Sequence, residues 1–203
     1  MLKIDDLTLK TRHPILTDFS YCFERGKMYG IVAVNGSGKT TFFRAIMGLI
    51  PVETGHFKLT EASKGRKELF YFEDSDWFDI NLSGLDYLTF IQSEWASSVD
   101  ITSIIKVLGM SDYIKLPIKK YSLGMKQRLL ISLYLVSDAS YLLMDEITNG
   151  LDEQSRGVIF SELQKLRDKG KMIIISSHYR EDIIEYCDVM LNFHREKLVE
   201  VSA

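Results

Sequence analysis

The apolar and polar positions change period along the chain. Residues 2–9 and 15–23 alternate loosely, as half-buried strands do, and Arg25-Gly26-Lys27 is the turn that follows. Met28-Tyr29-Gly30-Ile31-Val32 is a continuous apolar run and predicts a short buried strand, and residues 42–47 predict a helix that Gly48 and Pro51 end. Residues 53–55 make a turn, 56–60 a strand, 61–67 a polar loop and 69–72 a further buried strand. The period then becomes helical. Ser83 with Asp86 three residues on marks a helix start, and Leu85, Leu88, Ile91 and Trp95 share one face. Asp100 caps a second helix, with Ile101, Ile104, Ile105 and Leu108 at helical spacing and Gly109 as its stop. Ser122 caps a third that runs through Leu130, Leu133 and Val136. Tyr141-Leu142-Leu143-Met144 and Met172-Ile173-Ile174-Ile175 are uninterrupted apolar runs, suited to central parallel strands. Residues 155–169 predict a helix stopped by Gly170, residues 181–186 a short one, and 189–193 with 198–201 a closing hairpin. The pattern is α/β, with residues 74–125 as a helical insertion between two α/β parts.

Between the third strand and the first helix stands Asn35-Gly36-Ser37-Gly38-Lys39-Thr40-Thr41. Strand, glycine-rich turn and helix form the context of a phosphate-binding loop. Gly36 and Gly38 let several N–H groups point inward, and the helix N-terminus adds partial positive charge. Lys39 adds a full charge at the β/γ-phosphate position, and the Thr40 hydroxyl can ligate Mg²⁺. Ala33 replaces a glycine of the general pattern, so a methyl group is expected to tighten the turn.

Composition narrows the class. The chain has 203 residues, 46% hydrophobic and 26% charged, an ordinary globular mix. A net charge of −3 argues against a broad nucleic-acid-binding face, and no nucleic acid is expected as partner. Two cysteines, Cys22 and Cys187, lack metal-ligand spacing and are expected to be buried, reduced and inert. The first residues carry no signal-peptide pattern, and no apolar run approaches the ~18 residues of a membrane span. Any membrane role is expected to come through another chain.

Two further stretches carry chemistry. Asp145-Glu146 ends the apolar run at 141–144. There Asp145 can hold Mg²⁺, directly or through water, while Glu146 orients and polarises the water that attacks a γ-phosphate. Tyr121-Ser122-Leu123-Gly124-Met125-Lys126-Gln127-Arg128 puts Ser122 and Gly124 at a helix N-terminus, a second anion-binding corner. One nucleotide does not need two such sites in one chain, and a simple kinase has no use for the second. It makes sense where two chains pair head to tail, each closing over the other's ATP.

These motifs, with Thr148-Asn149-Gly150-Leu151-Asp152 and Ser177-His178 after them, occur in the order of the nucleotide-binding domain of ATP-binding cassette (ABC) transporters. The chain resembles that family over essentially its whole length. The resemblance implies a P-loop NTPase core with a mostly parallel sheet and an N-terminal antiparallel β subdomain, together residues 1–73 and 126–203. It implies an inserted helical subdomain at residues 74–125. It implies ATP and Mg²⁺ as ligands, and a head-to-tail dimer of the chain with itself or a paralogue. A separate transmembrane permease would hold the protein at the inner face of the cell membrane. By the same resemblance residues 149–152 cross the dimer seam, and His178 touches the γ-phosphate beside the catalytic Glu146 and Lys39. Leu123, Met125 and Ile147 depart from the usual glycine, glutamine and proline, a substitution pattern that resembles bacterial drug and antimicrobial-peptide exporters. The family's switch-loop glutamine is replaced by Asp74 or its neighbour Glu73. Asp74 therefore joins Thr40 and Asp145 as an expected metal-site residue, and the loop at 73–78, with Trp77 and Phe78, is an expected route to the membrane partner. An aromatic that stacks on adenine is replaced by Thr11-Arg12-His13, where either His13 or Arg12 can stack, or the turn is merely solvated. The implied function is ATP hydrolysis that powers an exporter. The alternative is a soluble or regulatory cassette that binds ATP without driving transport.

Overall fold

The computed structural model describes residues 1–34, 36–59, 68–177 and 179–201. Two sheets organise them. The smaller is antiparallel, in the order β2 (Pro14–Phe23), β1 (Leu2–Lys10), β4 (Thr54–Leu59). The larger has six strands, in the order β5 (Leu69–Tyr71), β6 (Tyr141–Asp145), β7 (Met172–Ser176), β3 (Met28–Ile31), β8 (Val189–His194), β9 (Lys197–Val201). Its neighbours are parallel except β9, which returns antiparallel to β8 as the expected hairpin. Every residue of β3, β6 and β7 is buried, which accounts for their unbroken apolar sequences.

Alternation within those strands builds two cores. Leu142, Met144, Ile173 and Ile175 face one way, into a cluster with Leu88, Ile91, Leu129, Leu133 and Phe160. Tyr141, Leu143, Met172 and Ile174 face the other, against Phe42, Phe43 and the inner face of the antiparallel sheet (Leu2, Ile4, Leu7, Phe23). Each fully buried Leu, Ile or Phe contributes about 1.5–3 kcal/mol of transfer free energy. A one-residue slip in either central strand would put both sets on the wrong side.

The helices are α1 (Lys39–Ile46), α2 (Gly84–Glu94), α3 (Ile101–Val107), α4 (Leu123–Ser137), α5 (Glu153–Asp168) and α6 (Arg180–Tyr186). Their starts follow the caps in the sequence. Ser83 and Asp86 form a reciprocal capping box, Asp100 accepts from the Thr102 N–H at 3.0 Å, and Ser122 accepts from the Met125 N–H at 3.2 Å. Asp152 caps α5 by accepting from Ser155 at 2.7 Å, so that helix begins two residues earlier than its apolar pattern. Helix α1 likewise begins at Lys39, ahead of the apolar run from Phe42. Two short 3-10 turns, Ser75–Trp77 and Ile118–Lys120, have no periodic signature and were not expected. Helices α2 and α3 fall in the expected insertion, and their apolar residues join the α4 cluster. The expected loop at 61–67 and the end of its preceding strand, Thr60, lie outside the described residues. Cys22 and Cys187 are free thiols and only half-buried, and burial pushes the Cys187 thiol up to about 12.

Candidate functional site

Register brings the chemistry together. Ile31 of β3 pairs with Ser176 of β7, and Ser176 pairs with Asp145 of β6. Three parallel strands thus end in one row, and the segments that leave them open on one side of the sheet. This is where α/β sheets place ligands.

The loop from β3 turns into α1 through Gly38, whose φ of 101° is closed to ordinary side chains. A Cβ there would lie 2.5 Å from Ile15 Cγ2. Gly38 caps α1 without a side-chain bond, so the first-turn N–H groups remain open to an anion. The Ser37 hydroxyl is buried and has no partner among the described residues. Lys39, 5% exposed, donates to the carbonyls of Ala33 (2.9 Å) and Val34 (3.3 Å) and lies 3.3 Å from Glu146 Oε1. The Ala33 side chain is partly buried against the second core.

Asp145 accepts from Thr40 Oγ1 and from Ser176 Oγ, each at 2.5 Å. Burial pushes its carboxyl above the ordinary range; the two hydroxyls and Lys39 oppose that, while Glu146 adds to it. Glu146 follows in a left-handed conformation, φ 52°, which costs an ordinary residue about 1–3 kcal/mol. Two bonds from its N–H hold it there, to the Ser176 carbonyl (3.1 Å) and hydroxyl (3.0 Å). Asn149 Nδ2 donates to its Oε2 at 3.0 Å. The strand therefore aims two successive carboxylates differently, Asp145 at Thr40 and Glu146 at Lys39.

These residues line one cleft of about 530 Å³, within the range of small-molecule sites. Gly36, Ser37, Gly38, Lys39, Thr40 and Thr41 form its floor. Asp145, Glu146 and Asn149 form one wall, and Glu73, Asp74, Ser75, Gln127 and Leu130 another. Thr11, His13, Pro14 and Ile15 form the far rim, and Arg12 is not among the lining residues. The chemistry fits a nucleoside triphosphate with Mg²⁺. Open N–H groups, an unpartnered buried hydroxyl and a buried ammonium suit phosphate oxygens, and the Thr40–Asp145 oxygen pair suits a hard cation. Among the described residues no group of three or more His, Cys, Asp and Glu could hold a metal. Few protein ligands beside substrate phosphates is the usual arrangement for Mg²⁺.

The remaining expected residues divide. Asp74 lines the cleft, its Oδ1 accepting from the Asp76 N–H at 2.9 Å, whereas Glu73 is held by Arg44 and by the Tyr71 hydroxyl (3.1 Å). Ser122 and Gly124 do not join the cleft of their own chain. Gly124 lies beside Gly150 and Leu151, and the exposed Leu123 packs over Gly150. Asn35 and His178 lie outside the described residues. Three contributors escape sequence reasoning: Ser176, the Arg44–Glu73 pair, and Arg156. Arg156 donates to the Leu151 carbonyl (3.1 Å), pairs with Asp182 (2.9 Å) and lies over the Tyr179 ring (4.2 Å). Only Ser176 had a visible signal, a polar residue that closes a run of three isoleucines.

The family model described as ABC transporter matches residues 16–149. An uncharacterized ABC transporter ATP-binding protein of Bacillus subtilis, YybJ, is 33% identical over 98% of this chain and 94% of its own. The lantibiotic transport ATP-binding protein SrtF of Streptococcus pyogenes is 28% identical over 98% and 89%. The zinc transport system ATP-binding protein TroB of Treponema pallidum is 30% identical over 94% and 77%. A solved ATP-binding subunit of an ABC transporter superposes with a TM-score of 0.87 over all of this chain and 90% of that one, at 20% identity, which shows the shared fold. Among the described residues no helix is long and apolar enough to cross a membrane. A phosphate-loop cleft walled by two strand-end carboxylates, on a chain that aligns throughout with such proteins, belongs to the ABC transporter family as one of its ATP-binding subunits.

Proposed function

We propose that this chain hydrolyses ATP to drive a separate membrane permease. The observation that carries the reading is the double pairing across the cleft, Thr40 with Asp145 and Lys39 with Glu146. It joins a phosphate-binding floor to an acidic strand end. Lys39 and the α1 N-terminus take the phosphate tail, with Asn35 and Thr41 in the same loop. Thr40 and Asp145 hold the Mg²⁺, with Asp74 at its approach. A cation held there would supply positive charge to neutralise the transferring phosphoryl group. Glu146, fixed by its own backbone and by Asn149, orients and deprotonates the attacking water, and His178 assists at the γ-phosphate. Pro14 and His13 give the adenine a surface to lie on.

Ser122 and Gly124 do not line their own cleft, which favours a partner in trans: a second copy of the chain, or a paralogue, in head-to-tail contact. Trp77, Ile80 and Leu82 are exposed beside the helical region and suit docking of a permease at the inner membrane face. The permease is proposed to be an exporter. The departures at Leu123, Met125 and Ile147 support that direction; among the relatives one is named for lantibiotic transport and another, as similar, for zinc transport.

Phosphate release from ATP by the purified chain, with Mg²⁺ and with EDTA, tests the reading. Mg²⁺-dependent release and co-purification with a polytopic membrane protein are expected. ATP binding without release, with the permease present, would replace hydrolysis by a regulatory binding role.

A further inference from the structure

Arg44 stands five residues past Lys39 on α1, about 7.5 Å along the helix axis. It does not line the cleft. Its guanidinium instead grips Glu73 in a two-pronged fork, Nε at 2.6 Å to one oxygen and Nη2 to the other. That planar match is specific to arginine and carboxylate. The Tyr71 hydroxyl donates to the same carboxylate at 3.1 Å, and only 11% of the Glu73 side chain is exposed. Arg44 itself is 43% exposed, so the pair adds little to stability. What it fixes is direction.

Glu73 opens the segment after β5, and everything beyond it is linked in series. Asp74 lines the cleft and caps the Ser75–Trp77 turn by accepting from the Asp76 N–H. Trp77, more than half exposed, tilts against Phe72 at 6.0 Å. Phe78 stacks on Phe72 at 5.1 Å and meets Tyr87 of α2 at 4.9 Å. The Tyr87 hydroxyl accepts from the Asp79 N–H at 2.7 Å. A continuous set of contacts thus runs from the phosphate-loop helix through Arg44 and Glu73 to an exposed tryptophan and the helical region.

We propose that Arg44 is a positioning residue for the ATP reaction: by clasping Glu73 it holds Asp74 at the cleft and makes the turn that carries Trp77 move with α1. This rests on the ATP reading above. Both Glu73 and Asp74 line the cleft, but the clasp commits the Glu73 carboxylate to Arg44, whereas the Asp74 carboxylate is tied only within its own turn. Nucleotide that engages the α1 N-terminus is then felt at Trp77, with no change needed in the sheet.

The chain has two tryptophans, so Trp95→Phe leaves Trp77 as the only indole emitter. That parent protein is titrated with Mg-ATP while Trp77 emission is followed, and a fluorescent ATP analogue measures binding separately. Arg44→Ala, Arg44→Lys (which keeps charge but not the fork) and Glu73→Gln are compared with it. The expected result is a Trp77 response in the parent and its loss in all three variants. In the variants kcat falls by about tenfold while KM stays within about threefold, as displaced positioning predicts. The Arg44→Ala/Glu73→Gln double variant should be no worse than either single change, because both break one clasp. Full response in Arg44→Ala or Arg44→Lys, additive losses in the double variant, or a silent Trp77 in a parent that binds nucleotide would overturn the clasp alone. A parent that binds no ATP analogue would sink the ATP reading and the clasp with it.

Discussion

Replacing Gly38 by alanine tests how the phosphate loop is built. At φ 101° a side chain meets its own backbone, and the new Cβ lies 2.5 Å from Ile15 Cγ2 and 3.1 Å from both Cγ1 and Cδ1. Left-handed strain costs about 1–2 kcal/mol. Ile15 is β-branched and sits on β2, so it has few rotamers to yield with, and overpacking of this kind costs about 1–3 kcal/mol. The sum, about 2–5 kcal/mol, is a large share of the ~5–15 kcal/mol that holds an ordinary domain. Urea unfolding of wild type, Gly38→Ala, Ile15→Ala and the double variant separates the two contributions. Ile15→Ala alone should cost about 1–2 kcal/mol because Ile15 is only partly buried. The double variant should be more stable than the sum of the singles by the clash share, about 1–3 kcal/mol, with only the backbone strain left. Binding of a fluorescent ATP analogue should fall with Gly38→Ala and recover in part when Ile15 is also cut back. Additive losses, with coupling under about 0.5 kcal/mol, would refute the account of Gly38 and Ile15 as a packed pair.

Two other substitutions probe the surroundings of the cleft. Tyr134 is fully buried, and its hydroxyl lies 2.7 Å from the Leu143 carbonyl and 3.0 Å from both the carbonyl and the N–H of Phe72. Tyr134→Phe strands the Phe72 N–H and should cost about 1–3 kcal/mol in urea unfolding. Glu73→Gln should show a pH signature: Arg44, then Tyr71, hold the Glu73 carboxyl below its ordinary 4.5, against burial. A lowered folded-state value means the stability it adds is present above about pH 4.5 and disappears as pH falls through the folded-state value. Thermal unfolding of Glu73→Gln should therefore fall slightly below wild type at pH 7 and converge with it as pH drops below the ordinary 4.5; a constant offset would contradict the pairing.

Much of the fold was legible because burial on both faces leaves an unbroken apolar run, and only β3, β6 and β7 needed to be so. The caps at Ser83, Asp100 and Ser122 were legible for a local reason, a polar side chain within three residues of the N–H it serves. The phosphate loop and the acidic pair were readable because both chemistries are tied to fixed spacing. What stayed hidden was long-range. Arg44 and Glu73 are twenty-nine positions apart in the sequence and meet only because β5 ends beside α1. Ser176 reaches Asp145 through strand register, which no local pattern encodes. The 3-10 turn at Ser75–Trp77 is three residues long, too short to carry a period. The first β-turn left its stacking candidates open in the sequence, and of the two His13 lines the cleft and Arg12 does not.

The claim at the centre is that Glu146, placed by its left-handed backbone and paired with Lys39, is the base for hydrolysis in a cleft that binds ATP by other means. Glu146→Gln keeps the side chain's size and its contact with Asn149 but cannot take a proton from water. Equilibrium ATP binding and phosphate release measured side by side on that variant test the claim. The account predicts affinity within about threefold of wild type and release slowed by about 10²–10⁴-fold. Phosphate release at the wild-type rate would contradict it.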